Sequence, residues 1–268
     1  MGVDEMALKY SANLTMLYTE VAFLDRFAKA AAAGFAAVEF LSPYEAGVDA
    51  VKARVDDLGL TVVMFNLPAG DADAGEFGTL GNPARRDFFR CSFAQALAAA
   101  DRLSCERLHA MFGKRAAGFD AAEQVDCALD NLAWAAPQAA EAGVTLLVEA
   151  LNPIDWPDYF LNTTADALDI VVRADQPNVK LQYDVYHAQM MEGNLINTIT
   201  DDFLTIGHVQ IADVPGRHEP GTGEINYPNV FSALERLGYE GYIGLEYRPP
   251  GDTDASLGWL PREARGQR

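Results

Sequence analysis

Eight short runs rich in β-branched and aromatic residues recur along the chain, at 8–14, 36–41, 60–66, 105–111, 144–150, 179–184, 206–212 and 242–247. Their composition and length predict strands. Between them apolar residues return at helical spacing, as in Phe23, Phe27, Ala30 and Ala31, or Val48, Val51, Val55 and Leu58. Leu97, Ala100 and Leu103 form a third stripe and Leu129, Leu132, Ala136 and Ala139 a fourth; segments 164–174 and 227–237 complete the series. Gly34, Gly59, Gly143 and Gly238 stand where helix gives way to strand, and glycine accepts the left-handed conformation that closes a helix. Strands alternating with helices from end to end predict an α/β fold, a (β/α)8 barrel in one domain over 1–268, with fraying ends at 1–7 and 262–268. An open doubly wound sheet fits less well, because no GxGxxG fingerprint is present. The glycine-rich stretch 215–223 lacks the lysine of a phosphate-binding loop.

Composition narrows the class of protein. Of 268 residues 50% are apolar, enough for a sizeable core, and a single barrel typically takes about 250 residues. Acidic residues outnumber basic ones 39 to 20, for a net charge of −19. That balance repels a polyphosphate backbone, so nucleic acid is not an expected partner. No run of about 18 apolar residues predicts a membrane span, and the acidic N-terminal stretch lacks the basic start of a signal peptide. Cys91, Cys105 and Cys127 are odd in number and share no CxxC spacing. They predict neither a disulfide framework nor a cysteine zinc site, and a cytoplasmic setting is the expectation.

Catalytic side chains of a parallel barrel come from the C-terminal ends of strands and the loops after them. By that rule the fifth strand delivers Glu149, the sixth Asp184, the seventh Gln210 and the eighth Glu246. Three carboxylates in one mouth repel one another unless a cation or shared protons neutralise them. With an amide oxygen beside them they suit a hard divalent ion, Mg²⁺ or Mn²⁺. Any one of these acids alone reads as a solvated strand end; four together, each near the close of an apolar run, point to a metal site. Gln210 is its least specific member, since a glutamine bonds loop backbone equally well.

Other polar residues group around this set. His187, three positions after Asp184, is placed to approach a substrate, as is Asp155, six positions after Glu149. Arg217 and His218, in the loop after the seventh strand, offer cations to an anionic or hydroxylated substrate, while Glu39 and His109 end strands with no assigned partner. Phe65, Leu67, Trp156, Tyr159 and Phe160 supply an apolar rim that excludes water. A divalent ion gripping adjacent substrate oxygens acidifies the C–H between them, and flanking carboxylates can carry the proton. This suits aldose–ketose isomerisation or epimerisation through an enediolate. Neither GxSxG nor HExxH occurs to support acyl transfer or zinc-peptidase chemistry.

The stretch HVQIADVPGRHEPGTGEINY at 208–227 resembles the signature segment of the hydroxypyruvate isomerase family. SANLTMLYTE at 11–20, GFAAVEFL at 34–41, YHAQMMEGN at 186–194 and GLEY at 244–247 extend the resemblance over about 8–261. The family is a branch of the xylose-isomerase-like TIM barrels, with sugar 3-epimerases and endonuclease IV as relatives. The resemblance implies that Glu149, Asp184, Gln210 and Glu246 bind Mg²⁺ or a similar ion. It implies Glu149 and Glu246 as the proton-transfer pair, with His187 and Arg217 touching substrate. The implied reaction interconverts hydroxypyruvate and 2-hydroxy-3-oxopropanoate (tartronate semialdehyde), and a close branch isomerises 2-oxo-tetronates. Two departures leave substrate length open: EALN at 149–152 stands where EPIN is expected, and 112–118 matches no familiar segment.

Three other readings stay in view. A ketose or sugar-acid 3-epimerase needs the same ion and glutamate pair, and differs in whether a cation in the mouth meets a substrate carboxylate. An endonuclease IV-like role requires a histidine-rich zinc cluster and a basic groove, against four histidines and a charge of −19. A non-catalytic metabolite-binding barrel has no use for both glutamates and all four donors. Barrels of this kind are often dimers or tetramers, so a homo-oligomer remains open, with no interface signal in the sequence.

Overall fold

In the computed structural model, which describes residues 7–268, the predicted runs become nine parallel strands. They are β1 (Lys9–Asn13), β2 (Ala37–Glu39), β3 (Thr61–Val62), β4 (Phe65–Asn66), β5 (Arg107–His109), β6 (Thr145–Glu149), β7 (Val179–Asp184), β8 (Ile206–Ile211) and β9 (Tyr242–Leu245). The sheet runs β3-β2-β1-β9-β8-β7-β6-β5-β4. Its two ends are halves of one stave: the predicted strand at 60–66 is broken after Val62, so that β3 pairs with β2 and β4 with β5. Backbone bonds from Val63 to the Val38 carbonyl and from Asn66 to the Leu41 carbonyl carry the stave across the break and nearly close the barrel.

The helices are α1 (Phe23–Ala32), α2 (Val48–Leu58), α3 (Arg86–Leu103), α4 (Ala121–Glu141), α5 (Thr164–Ala174), α6 (Val185–Met191), α7 (Leu195–Asp201), α8 (Tyr227–Leu237), α9 (Thr253–Ser256) and α10 (Arg262–Arg265). The apolar stripes seen in the sequence face the sheet: Phe27 and Ala30 on α1, Val51 and Val55 on α2, and Ala100 and Leu103 on α3 are all buried. Emptying one such aromatic site by Phe→Ala costs about 3–5 kcal/mol. Asp120 starts α4 and Thr163 starts α5, each in a reciprocal capping box with Glu123 and Asp166, an arrangement that satisfies two otherwise unpaired backbone donors. Gly59 and Gly238 close α2 and α8 in the left-handed conformation.

The fraying expected at 1–7 lies outside the described residues except for Ala7. Over 262–268 two arginines tie the chain to the barrel. Arg265 donates to the carbonyls of Ala33, Leu257 and Leu260 at 3.0, 2.9 and 2.7 Å, and Arg268 reaches the Gly59 carbonyl at 2.6 Å. Guanidinium groups bonded to helix-end carbonyls satisfy acceptors that the helices leave open.

Register sets the height of the polar residues. Glu149 lies opposite Gln182, Asp184 opposite Gln210, and Gln210 opposite Gly244. The acids that end neighbouring strands therefore reach the same rim, at the C-terminal ends of β6, β7 and β9.

Candidate active site

Glu149 is the last residue of β6 and Asp184 the last of β7, while Glu246 follows β9 directly; all three are buried. One Asp184 oxygen caps α6, accepting from the Tyr186 amide at 2.8 Å. That cap fixes the first turn of α6, which carries His187, and its Nε2 stands 3.6 Å from the other Asp184 oxygen. Glu149, Asp184 and His187 each present a ligand-type atom within 4.8 Å of the others, an arrangement that fits a divalent metal. The hydrogen bonds of His187 assign its tautomer: Nδ1 accepts from the Asn152 backbone amide at 3.1 Å. Burial, reinforced by the charge of Arg217, pushes its pKa well down. The ring is thus neutral with the proton on Nε2, a donor aimed at the side of the triad where the two carboxylates supply the oxygen ligands.

Arg217 occupies the middle of the acids. Its Nη2 lies 2.6 Å from Glu246 Oε2 and 3.4 Å from Asp184 Oδ2, and its plane sits over the Tyr186 ring at 4.9 Å. Asp155 accepts from Asn152 and Tyr186 at 3.1 and 2.8 Å and stands 3.9 Å from Arg217 Nη1. The loop bearing Arg217 is anchored by Asp213, whose Oδ2 accepts from the amides of Gly221 and Gly223, both at 2.9 Å. Gly223 admits no side chain, since a Cβ there would lie 2.0 Å from the Val214 carbonyl oxygen. So anchored, the loop holds Arg217 at φ 57°, a left-handed conformation that a non-glycine residue adopts at a cost of about 1 kcal/mol or more.

Gln210 is hydrogen-bonded on both sides of its amide. Its amide nitrogen donates to Glu39 Oε1 at 2.8 Å and its oxygen accepts from Gln182 at 2.6 Å. Glu39, unassigned in the sequence, is the centre of a buried network: Ser11 Oγ donates at 2.8 Å, Asn13 Nδ2 at 3.1 Å, and His208 Nε2 lies at 3.0 Å. Asn13 Nδ2 also reaches Glu246 Oε1 at 3.2 Å, joining the network to the acids. Burial alone would raise the Glu39 carboxyl, but pairing with His208 and hydrogen bonds from Gln210 and Ser11 hold it below the usual value.

The acids at the rim shift the other way. Burial, then the charges of Glu246 and Asp184, push the Glu149 carboxyl well up. Burial pushes Glu246 up to about 8 against the opposing pull of Arg217, and raises Asp184 as well. Burial also lowers His109 to about 3, so the imidazole 3.6 Å from Glu149 is neutral. Glu149 Oε1, His187 Nε2, His109 Nε2 and Arg217 Nη1 are buried without a hydrogen-bond partner, and all four residues line one cleft of about 330 Å³.

Of the aromatic rim expected from the sequence, only Trp156 lines this cleft, and its partner is Phe77, stacked at 3.9 Å and 12°. Phe65 packs on Phe40 in the core, Tyr159 hydrogen-bonds the Phe112 amide, and Phe160 stacks on Phe112. His218 turns away to the Arg248 carbonyl at 2.7 Å. Phe77 and Asn13 were not singled out in the sequence and His109 showed there only as a strand end, because each acquires its meaning from a partner on another strand or loop.

Comparison with known proteins adds an independent line. The family model for xylose isomerase-like TIM barrels matches residues 27–263. The 2-oxo-tetronate isomerase of Cupriavidus necator is 48% identical over 252 residues, 94% of this chain and 97% of its own. The hydroxypyruvate isomerase of Escherichia coli is 43% identical over 254 residues, 94% of this chain and 98% of its own. Among solved structures, an AP endonuclease, family 2, from Brucella melitensis superposes with a TM-score of 0.92 at 43% identity, covering 95% of this chain and 98% of its own.

Proposed function

This chain belongs to the xylose isomerase-like TIM-barrel family, and we propose that, as an isomerase, it moves the carbonyl of a short 2-oxo acid to the neighbouring carbon, converting hydroxypyruvate to 2-hydroxy-3-oxopropanoate and back. One observation carries the reading: three buried strand-end carboxylates surround a single guanidinium in a small cleft where Glu149 Oε1 is left without a partner.

Three carboxylates against one arginine leave a deficit of two positive charges when all are ionised, which fits a divalent cation. Glu149, Asp184 and Glu246 would hold it, with the Gln210 oxygen as a fourth donor on exchange from Gln182. Oxygen donors of this kind suit Mg²⁺, with Mn²⁺ as its substitute. The ion would polarise the substrate's carbonyl and hydroxyl oxygens and so make the intervening C–H more acidic.

The protein's own groups then divide the proton work. Glu246, kept partly ionised by Arg217, takes the proton from carbon 3. Glu149, with an oxygen free of any partner, delivers one to carbon 2, while the hydroxyl proton passes from the carbon 3 oxygen to the carbon 2 oxygen, and the roles reverse in the other direction. His187 Nε2–H donates to a substrate oxygen, Arg217 Nη1 offers a second donor, and Asp155 keeps Tyr186 and Arg217 in place. Phe77 and Trp156 shelter the enediolate from water. A 2-oxo-tetronate undergoes the same shift with one more carbon, and the 48% identity to the Cupriavidus enzyme favours it as the second substrate. The net charge of −19 opposes a DNA-cleaving role like that named for the Brucella protein.

A panel of three- to six-carbon 2-oxo acids and neutral ketoses, followed by NMR in deuterated water, tests the proposal. Turnover of hydroxypyruvate or a 2-oxo-tetronate that vanishes with EDTA and returns with Mg²⁺ or Mn²⁺ is expected. Undiminished activity in metal-free protein overturns the metal's part, and turnover of neutral ketoses alone makes the enzyme an epimerase or sugar isomerase.

A further inference from the structure

A 2-oxo acid brings its own negative charge into a cleft already lined by acids, and its carboxylate needs a cation there. Arg217, the cation nearest the acids, is committed: Nη2 to Glu246 and Asp184, and Nε to the Glu246 carbonyl at 3.3 Å. Beside the cleft lies a wider groove of about 730 Å³, with Met16, Leu41 and Trp156 lining both. The charged residue lining that groove is Arg248. Its backbone is fixed on both sides, the amide donating to the Arg217 carbonyl at 2.7 Å and the carbonyl accepting from His218 at 2.7 Å. Its side chain is exposed, and among the described residues no carboxylate lies within ion-pair distance of it. What sets Arg248 apart is its place, two positions after Glu246 and on the wall of the groove beside the acids.

We infer that Arg248 is the specificity-determining cation that receives the substrate carboxylate at the mouth of the cleft, an inference that rests on the 2-oxo acid reading above. A guanidinium meets a carboxylate through two parallel hydrogen bonds, a geometry that a neutral hydroxymethyl group cannot match. Arg217 keeps to the reacting end, where its unpartnered Nη1 faces the substrate oxygens. Arg248 thereby separates acids from neutral ketoses that share the same carbonyl and hydroxyl.

The test compares wild type with Arg248→Met, Arg248→Lys and, as an exposed control on α8, Arg236→Met. Each is assayed on hydroxypyruvate, titrated calorimetrically with tartronate as a non-reacting acid in the presence of Mg²⁺, and challenged with dihydroxyacetone as a neutral competitor. Losing one charge-assisted contact at a rim site predicts for Arg248→Met about a tenfold rise in KM and in the tartronate Kd. The kcat stays within about threefold, dihydroxyacetone inhibition is unchanged, and Arg248→Lys recovers part of the loss. Unchanged KM and Kd in Arg248→Met, or equal weakening of dihydroxyacetone, overturns the inference while leaving the proposed reaction intact. Wild type that isomerises no 2-oxo acid yet binds tartronate through Arg248 removes the proposed reaction and leaves the inference standing. Wild type that neither turns over 2-oxo acids nor binds tartronate removes both.

Discussion

Glu246 is held from two sides, by the Arg217 guanidinium on one oxygen and by Asn13 on the other, so its carboxylate has one orientation. Replacing Glu246 with Gln keeps the shape and removes the base. Solvent deuterium exchange at carbon 3 should fall at least about a hundredfold, with an unchanged circular dichroism spectrum and with metal content measured on the same sample. Exchange at the wild-type rate would take Glu246 out of proton transfer. At this scale the sequence was a good guide to where Glu149, Asp184 and Glu246 lie, because each sits at or just past the end of an apolar run and strand ends face the mouth. It was a poor guide to Gln210 and Glu39. Their hydrogen bond spans 171 residues, and nothing local in either segment records which partner the barrel will bring round. Arg217 likewise looked free for substrate until its loop folded it onto Glu246.

Among the elements, β9 shows how tightly the inner network constrains a strand. Gly244 has room for no side chain, since a Cβ there would sit 2.3 and 2.5 Å from the two Glu39 carboxylate oxygens. Gly244→Ala should push Glu39 away from Ser11, Asn13 and His208, costing about 2–4 kcal/mol in a denaturant melt and lowering kcat through the displaced Asn13–Glu246 contact. A melt within about 0.5 kcal/mol of wild type would show that the network yields at little cost. Long elements were legible: α5 and α8 fall on the predicted 164–174 and 227–237 because apolar spacing and helix-closing residues agree there. The seven-residue α6 and α7 were not, as two turns are too short to show a period. The break after Val62 was hidden for another reason: an apolar run reads the same whether it bonds one neighbour or changes partners midway.

For the whole molecule, the raised carboxyls make stability depend on pH and on metal together. Between the ordinary glutamate value of 4.5 and about 8, metal-free folded protein keeps a proton on Glu246 that the unfolded chain has released. Its stability therefore falls as pH rises through that window, by up to about 1.4 kcal/mol per unit for this one group. A divalent cation replaces such protons, so the gain in melting temperature on adding Mg²⁺ should be larger at pH 8 than at pH 5. An equal gain at both would mean that the ion does not bind at these acids. The proposed chemistry sits on β6 to β9, where neighbouring strands pair over three or four residues, with one register shift between β7 and β8 at Leu181/Gln182. Across the barrel, β2 holds β1 and β3, and β4 holds β5, by two register pairs each. Slack collects where a wall is stitched most loosely. Thermal breathing can part the staves along this seam and let the opposite side, with its acids in fixed relation, ride through each opening undisturbed.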